Sequence, residues 1–164
     1  MTRHEYETRV VWDGNTGQGT AGYTAYERRY RVLVSGKPEL AGSADPAFRG
    51  DADRHNPEDL FVAALSSCHM LSYLALCARG GVQVLAYEDQ ARGTLRLEPD
   101  GGGRFEQVTL HPAVHVASAE QAEAAETLHH RAHELCFIAS SSSIPVLVQP
   151  VILVGSPEED DEGR

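Results

Sequence analysis

The chain has 164 residues, enough to bury one real core but not two. Its 24 acidic and 14 basic side chains give a formal charge of -10, of which segment 156–164 carries -4 through five acids and one arginine; so acidic a chain argues against nucleic acid as a partner. Three cysteines, with no basic-then-apolar leader ahead of them, do not make the even-numbered framework of a small secreted domain, and a reducing cytoplasm is expected.

Residues 6–13 (YETRVVWD) read as a strand, residues 14–22 as a glycine-rich turn, and residues 23–35 as a second strand whose later part, from Arg29 to Val34, is β-rich. A hairpin is predicted. Residues 38–53 carry Gly, Asp, Ser and Pro at loop density, with Phe48, Arg49, Gly50 and Asp51 among them. Asn56 then serves as an N-cap, Pro57 sits where a helix tolerates proline, and Asp59 completes a cap-like pattern ahead of a helix running to residue 79. Gly80 and Gly81 stop it.

The apolar run 60–78 has nearly the length of a membrane span, but Ser66, Ser67, His69 and Ser72 would be costly in lipid, so no membrane is expected. A helix apolar nearly all round is one surrounded by protein. One small domain would struggle to cover it, and a homodimer is implied.

Residues 82–97 and 105–116 read as two strands joined through Glu98, Pro99, Asp100 and three glycines. Ser118 with Gln121 forms a capping-box signature for a second helix, on which Gln121, Ala125, Leu128, Ala132 and Leu135 make one stripe. Serines 140–143 end it, residues 145–154 form a last strand, and the acidic tail 156–164 is expected to be disordered. The order predicts one α+β domain over residues 1–155 rather than a regular βαβ winding.

The chemistry-bearing residues are the cysteines. A buried cysteine behaves as a small hydrophobe, and reactivity needs an activator because only a few per cent of an ordinary thiol is thiolate at pH 7. A guanidinium held by a carboxylate suffices: Arg49 lies in the loop before the helix and Glu58 in its first turn. Ten residues of straight helix separate Glu58 from Cys68, a rise of about 15 Å, so the carboxylate reaches a thiol through a long arginine or across a dimer interface. Cys77, nine residues past Cys68, falls on the opposite helical face as a core filler. His129, His133 and Cys136 share a helical face at a spacing compatible with a transition metal. His69 points roughly 100° away from Cys68 and suits a buried polar partner better than a base.

Asn56-Pro57-Glu58-Asp59-Leu60, then Ser66-Ser67-Cys68, then Cys136 at the end of the second helix, resemble the OsmC/Ohr family of thiol-dependent peroxide reductases. The resemblance spans nearly the whole chain except the acidic tail. It implies an intertwined homodimer with antiparallel sheets wrapped around two central helices. It also implies Cys68 as the peroxidatic cysteine, Cys136 as the resolving one and Glu58 as part of the activating pair. Arg49 is the favoured arginine and Arg28 the alternative. No metal, flavin or haem is implied; the partners would be an organic hydroperoxide and a dithiol or lipoyl-bearing protein as reductant. Phe61, Leu65 and Leu71 favour an organic over a hydrogen peroxide substrate. Two departures stand beside the cysteines, His69 in place of phenylalanine and Phe137 in place of proline. The rival reading is a non-catalytic dimeric protein that binds a small molecule, or a metal through His129 and His133.

Overall fold

The computed structural model describes residues 2–157. The tail expected to be disordered lies, beyond Pro157, outside the described residues. The chain forms two compact units that divide between Phe61 and Val62.

The first unit is built on a three-stranded antiparallel sheet of β1 (Arg9–Trp12), β2 (Tyr30–Leu33) and β3 (Leu40–Gly42), in that order. The expected hairpin is present, with Val10 opposite Val32, and its long connection is fastened by polar bonds instead of a core. Trp12 Nε1 donates to Glu27 O at 2.9 Å, and Asn15 Oδ1 accepts from the backbone of Gly17 and Gly19 at 2.9 and 3.0 Å. On the sheet, Arg31 grips both carboxylate oxygens of Asp13, at 2.5 and 3.0 Å. Residues expected to be loop supply β3 and a 3-10 turn at Pro46–Phe48, because Asp45 caps that turn and the alanine and leucine before it pair with β2.

Helix α1 (Pro57–Gly80) starts as the sequence predicts. Asn56 Oδ1 accepts from Asp59 N at 2.7 Å while Asp59 Oδ2 accepts from Asn56 N at 3.4 Å, the reciprocal bonds of a capping box. It ends in a left-handed glycine: Gly81 has φ +73°, which lets Val82 N bond back to Cys77 O at 2.9 Å.

In the second unit, α1 buries one stripe, Leu65, His69, Tyr73 and Cys77, at strict four-residue spacing. Ala63, Ser67, Leu71, Ala75 and Ala78 make an exposed stripe on the opposite face. Tyr73 and Cys77 of that stripe lie in a core with Val82, Val114, Val116, Ala125 and Ala132.

Each long strand expected from the sequence is broken in the middle and serves two sheets. Residues 82–97 give β4 (Val84–Asp89) and β5 (Arg92–Leu97); residues 103–116 give β6 (Gly103–Leu110) and β7 (Pro112–Val116); the last gives β8 (Val146–Val148) and β9 (Val151–Val154). One sheet runs β4-β7-β9 and the other β5-β6-β8. Of these pairings β6·β8 and β7·β9 are parallel, so the sheets are mixed where the resemblance implied antiparallel ones; the α+β class stands. The breaks are held by Asp89, whose carboxylate accepts from His111 N at 2.7 Å and from the Ser66 hydroxyl of α1 at 2.5 Å.

Helix α2 (Ala122–Leu135) departs from expectation in two ways. Ser118 makes no capping bond to the backbone, and Gln121 is spent elsewhere, accepting from Gln83 N at 3.0 Å and donating to Gly81 O at 3.3 Å. Its buried stripe is Ala125, His129 and Ala132, whereas Leu135, expected to face the core, is 39% exposed. The buried stripe admits a histidine because His129 has a polar partner, His69, on α1.

Asn56→Ala removes a cap acceptor at a site only 8% exposed, and the expected loss is about 1 kcal/mol, or a Tm lower by roughly 2–4 °C. Thermal denaturation followed by circular dichroism checks this.

Candidate active site

Two groups of residues carry the chemistry, one in each unit. In the second unit Cys68 sits midway along α1, half-buried, and Cys136 occupies the joint between α2 and the short α3 (Phe137–Ser140) at 1% exposure. The chain leaves helical geometry at Cys136, with φ -70° and ψ 110°, and this turns the thiol inward. Cys68 lies beside Cys136, close enough to act on its thiol, and the two are not bridged. Burial pushes the Cys136 thiol up to about 11; the Ala139 backbone N–H pulls the other way, and the neighbouring Cys68 adds to the rise. Cys77 is buried against Tyr73 on the far face of α1, as its helical phase predicts, and burial raises its pKa.

The residue after Cys68 is as ordered as the thiols. His69 Nε2 meets His129 Nδ1 at 3.0 Å, linking α1 to α2 with both rings at 3% exposure or less. His129 also stacks on the Tyr73 ring, centroids 3.8 Å apart, and the Tyr73 hydroxyl donates to Ala125 O at 3.0 Å. This is the buried polar partner that helical phase suggested for His69. It also removes His129 from the metal reading: among the described residues no group of three or more His, Cys, Asp or Glu is arranged to hold a metal ion, so the set of His129, His133 and Cys136 is not a metal centre here.

In the first unit Arg28 and Glu58 line one shallow cavity of about 190 Å³ with Tyr30, Ser43, Asp45 and Phe48. Arg28 is fixed before any ligand arrives. Its guanidinium donates to Tyr26 O and Tyr23 O, each at 2.6 Å, and lies 4.0 and 4.5 Å from the ring centroids of those two tyrosines. Tyr30 has its pKa raised by burial and by the carboxylates of Glu58 and Asp59. Arg49, the favoured arginine, is not part of this cavity; it is exposed and closes the 3-10 turn with a left-handed φ of 67°. Nothing in the sequence separates the two arginines except that Arg28 has tyrosines at two and five residues before it, which is the signal for a guanidinium pre-stacked on rings. Of the apolar residues expected beside Cys68, Leu65 is committed to the core at 1% exposure and Leu71 faces outward at 63%.

An unbridged dithiol across two packed helices, one thiol reachable and one buried, on an α+β fold with bent strands, defines a thiol protein of a recognisable architecture. A family model for OsmC-like proteins matches residues 50–149, more than half of the chain, and the protein belongs to that family. An OsmC-like protein of unknown function from Vibrio cholerae is 31% identical, with a TM-score of 0.82 over 91% of this chain and 100% of that one. The organic hydroperoxide resistance proteins of Elizabethkingia anophelis, with bound thiocyanate, and of Legionella pneumophila share the fold at 19% and 20% identity. Their TM-scores are 0.66 and 0.67, each over 94% of this chain and 99% and 100% of theirs. No curated protein matches the chain.

The histidine pair makes a pH prediction. Burial lowers both His69 and His129 from the ordinary value of 6.5 to about 4, with His133 adding to the effect on His69 and Asp89 opposing it, and with His69 adding to the effect on His129. Between those values the unfolded chain binds protons that the folded chain does not, so the stability from keeping the rings neutral is full above pH 6.5 and is lost as pH falls towards 4. The loss over that window should be on the order of 3 kcal/mol for each ring. Urea unfolding at pH 7.5, 5.5 and 4.5 measures it, and a His69→Leu/His129→Leu variant should flatten the slope.

Proposed function

We propose that the protein is a two-cysteine hydroperoxide reductase. The observation that carries this reading is the contact between the half-buried Cys68 thiol and the buried Cys136 thiol: one can be reached by a substrate, and the other waits within reach of the product. Cys68, as thiolate, attacks the distal peroxide oxygen; the O–O bond breaks, the alkoxide leaves and is protonated to an alcohol, and Cys68 becomes a sulfenic acid. Cys136 then attacks the Cys68 sulfur, its proton leaves with the displaced hydroxyl as water, and a disulfide remains. A dithiol or a lipoyl-bearing protein returns both thiols by exchange. Burial of Cys136 keeps it a thiol until the sulfenic acid forms beside it, which suits a resolving residue better than an attacking one.

Arg28 and Glu58 are the activating pair in this reading. Arg28 is favoured over Arg49 because it is already ordered by two carbonyls and two rings and shares a cavity with Glu58. A guanidinium so held stabilises thiolate and departing alkoxide with little reorganisation. Tyr30 and Phe48 in the same cavity give it apolar walls, which fits an organic hydroperoxide. The working form is a homodimer: the exposed stripe of Ala63, Ser67, Leu71, Ala75 and Ala78 is apolar, and its small side chains allow a second helix to approach closely. The arginine and glutamate of one copy then serve the Cys68 of the other. Helix α1 has the length and composition of a membrane span, yet its inner face carries His69 and Tyr73 bonded to its own protein, and a cytoplasmic enzyme is the reading adopted.

The test is turnover of cumene hydroperoxide with a dithiol donor. Cys68→Ser should abolish it, while Cys136→Ser should stop turning over, consuming one equivalent to the sulfenic acid and a second to the sulfinic acid, seen by mass spectrometry. Wild-type protein that neither consumes hydroperoxide nor gains a Cys68–Cys136 disulfide would sink the reading and favour a small-molecule binder. Arg28→Met should slow Cys68 oxidation by roughly 10²-fold, whereas Arg49→Ala should leave it within about threefold, measured by stopped-flow fluorescence.

A further inference from the structure

His69 follows Cys68 on α1, and His129 lies two turns before Cys136 on α2. Their ring nitrogens meet at 3.0 Å in the core, and the rings are nearly parallel, 9° apart. No proton-bearing arrangement satisfies the pair fully: if His69 Nε2 donates, His129 Nε2 keeps a buried N–H, and if His129 Nδ1 donates, His69 Nδ1 does. His69 Nδ1 and His129 Nε2 are both buried without a partner, so the single bond between the rings is all that offsets the desolvation of two imidazoles. An apolar pair of the same size would pack here more cheaply. A polar pair is costly packing, but it fixes a donor against an acceptor, and so fixes the two helices at one rotation and one height. Tyr73 reinforces that setting by stacking on His129 and bonding to Ala125 O, one turn further along α2.

We propose that His69 and His129 are positioning residues for disulfide closure: their hydrogen bond fixes the rotation and height of α1 against α2 at the turn that carries Cys68, and so sets the effective concentration of the Cys136 thiol at Cys68. This rests on the reading that the two cysteines form a disulfide, but not on peroxide as the oxidant. A disulfide needs its Cα atoms within about 4.4–6.8 Å, a narrow window that a slip of one helix along the other would leave. Packing alone tolerates such slips, whereas a donor facing an acceptor does not.

The equilibrium of the Cys68–Cys136 pair with the reduced and oxidised dithiothreitol couple at pH 7.5, quenched in acid and read by mass spectrometry, measures this effective concentration directly. His69→Leu and His129→Leu should each lower the equilibrium constant about tenfold, the worth of one net hydrogen bond. The pair His69→Gln/His129→Asn, whose amides fall near the two bonded ring nitrogens, should restore it to within about threefold. The swapped pair His69→Asn/His129→Gln has the same groups in the wrong places and should not. Should a leucine variant fail to fold, the contrast between the two amide pairs decides. Equal constants for folded wild type and leucine variants, or for the two amide pairs, would overturn the proposal. Wild-type protein that closes the disulfide with oxidised dithiothreitol but ignores hydroperoxide would end the peroxidase reading and leave this one intact. If it closes no disulfide at all, both fail.

Discussion

Tyr73 is the contact on which the second unit depends. Its side chain is fully buried, it stacks on His129, it touches Cys77, and its hydroxyl is satisfied by a helix carbonyl on α2. Burial raises the pKa of that hydroxyl, so it stays a donor at every physiological pH. A phenol in a core is an expensive way to fill space unless its oxygen finds a partner. Here the partner lies on the other helix, and the requirement becomes a constraint on how α1 and α2 cross. The thiols inherit that geometry, because Cys68 and Cys136 hang from the same two helices.

The sheets are fitted around this pair of helices by bending. Three strands pass from one sheet to the other at the level of residues 90, 111 and 149, and Gln149 N closes the last bend by bonding to Leu110 O at 2.9 Å. Asp89 joins the bend to α1 through Ser66, two residues before Cys68. A carboxylate holding a backbone N–H and a hydroxyl at once is a directional clamp, and it places a serine of the buried helix against the corner of the sheet. The apolar core alone, dominated by valines from β7 and alanines from α2, carries no such directionality.

Much of this was legible beforehand. The cap at Asn56, the stop at Gly81, the hairpin of the first unit and the phase of Cys77 follow from local rules that act within a few residues. What the sequence hid depends on partners far along the chain. Residues 82–97 carry the polar run Glu88-Asp89-Gln90 in their middle, but nothing local marks Asp89 as the residue that would hold His111 N where the strand bends. Gln121 fits a capping box by spacing, yet Gly81 and Gln83, forty residues away, compete for its amide and win. The histidines of α2 fit a metal face by periodicity until α1 supplies His69. The candidate thiols were readable because sulfur chemistry needs few residues; the choice between Arg28 and Arg49 was not, since a charge in a loop is given its direction only by the carbonyls and rings that hold it.

Gly14 lies at the foot of the loop that carries Arg28, and a Cβ there would sit 1.7 Å from Glu27 O and 2.4 Å from Trp12 Nε1. Both of those atoms are already bonded to each other, and Glu27 N in turn bonds to Gly14 O at 2.9 Å. The orientation of the guanidinium is therefore inherited from a backbone crossing too tight for any side chain. The tyrosine rings brace the guanidinium from its faces, while the crossing beneath them excludes any side chain at Gly14. A survey of tolerated substitutions would find a position closed to every side chain fourteen residues before the arginine it orients.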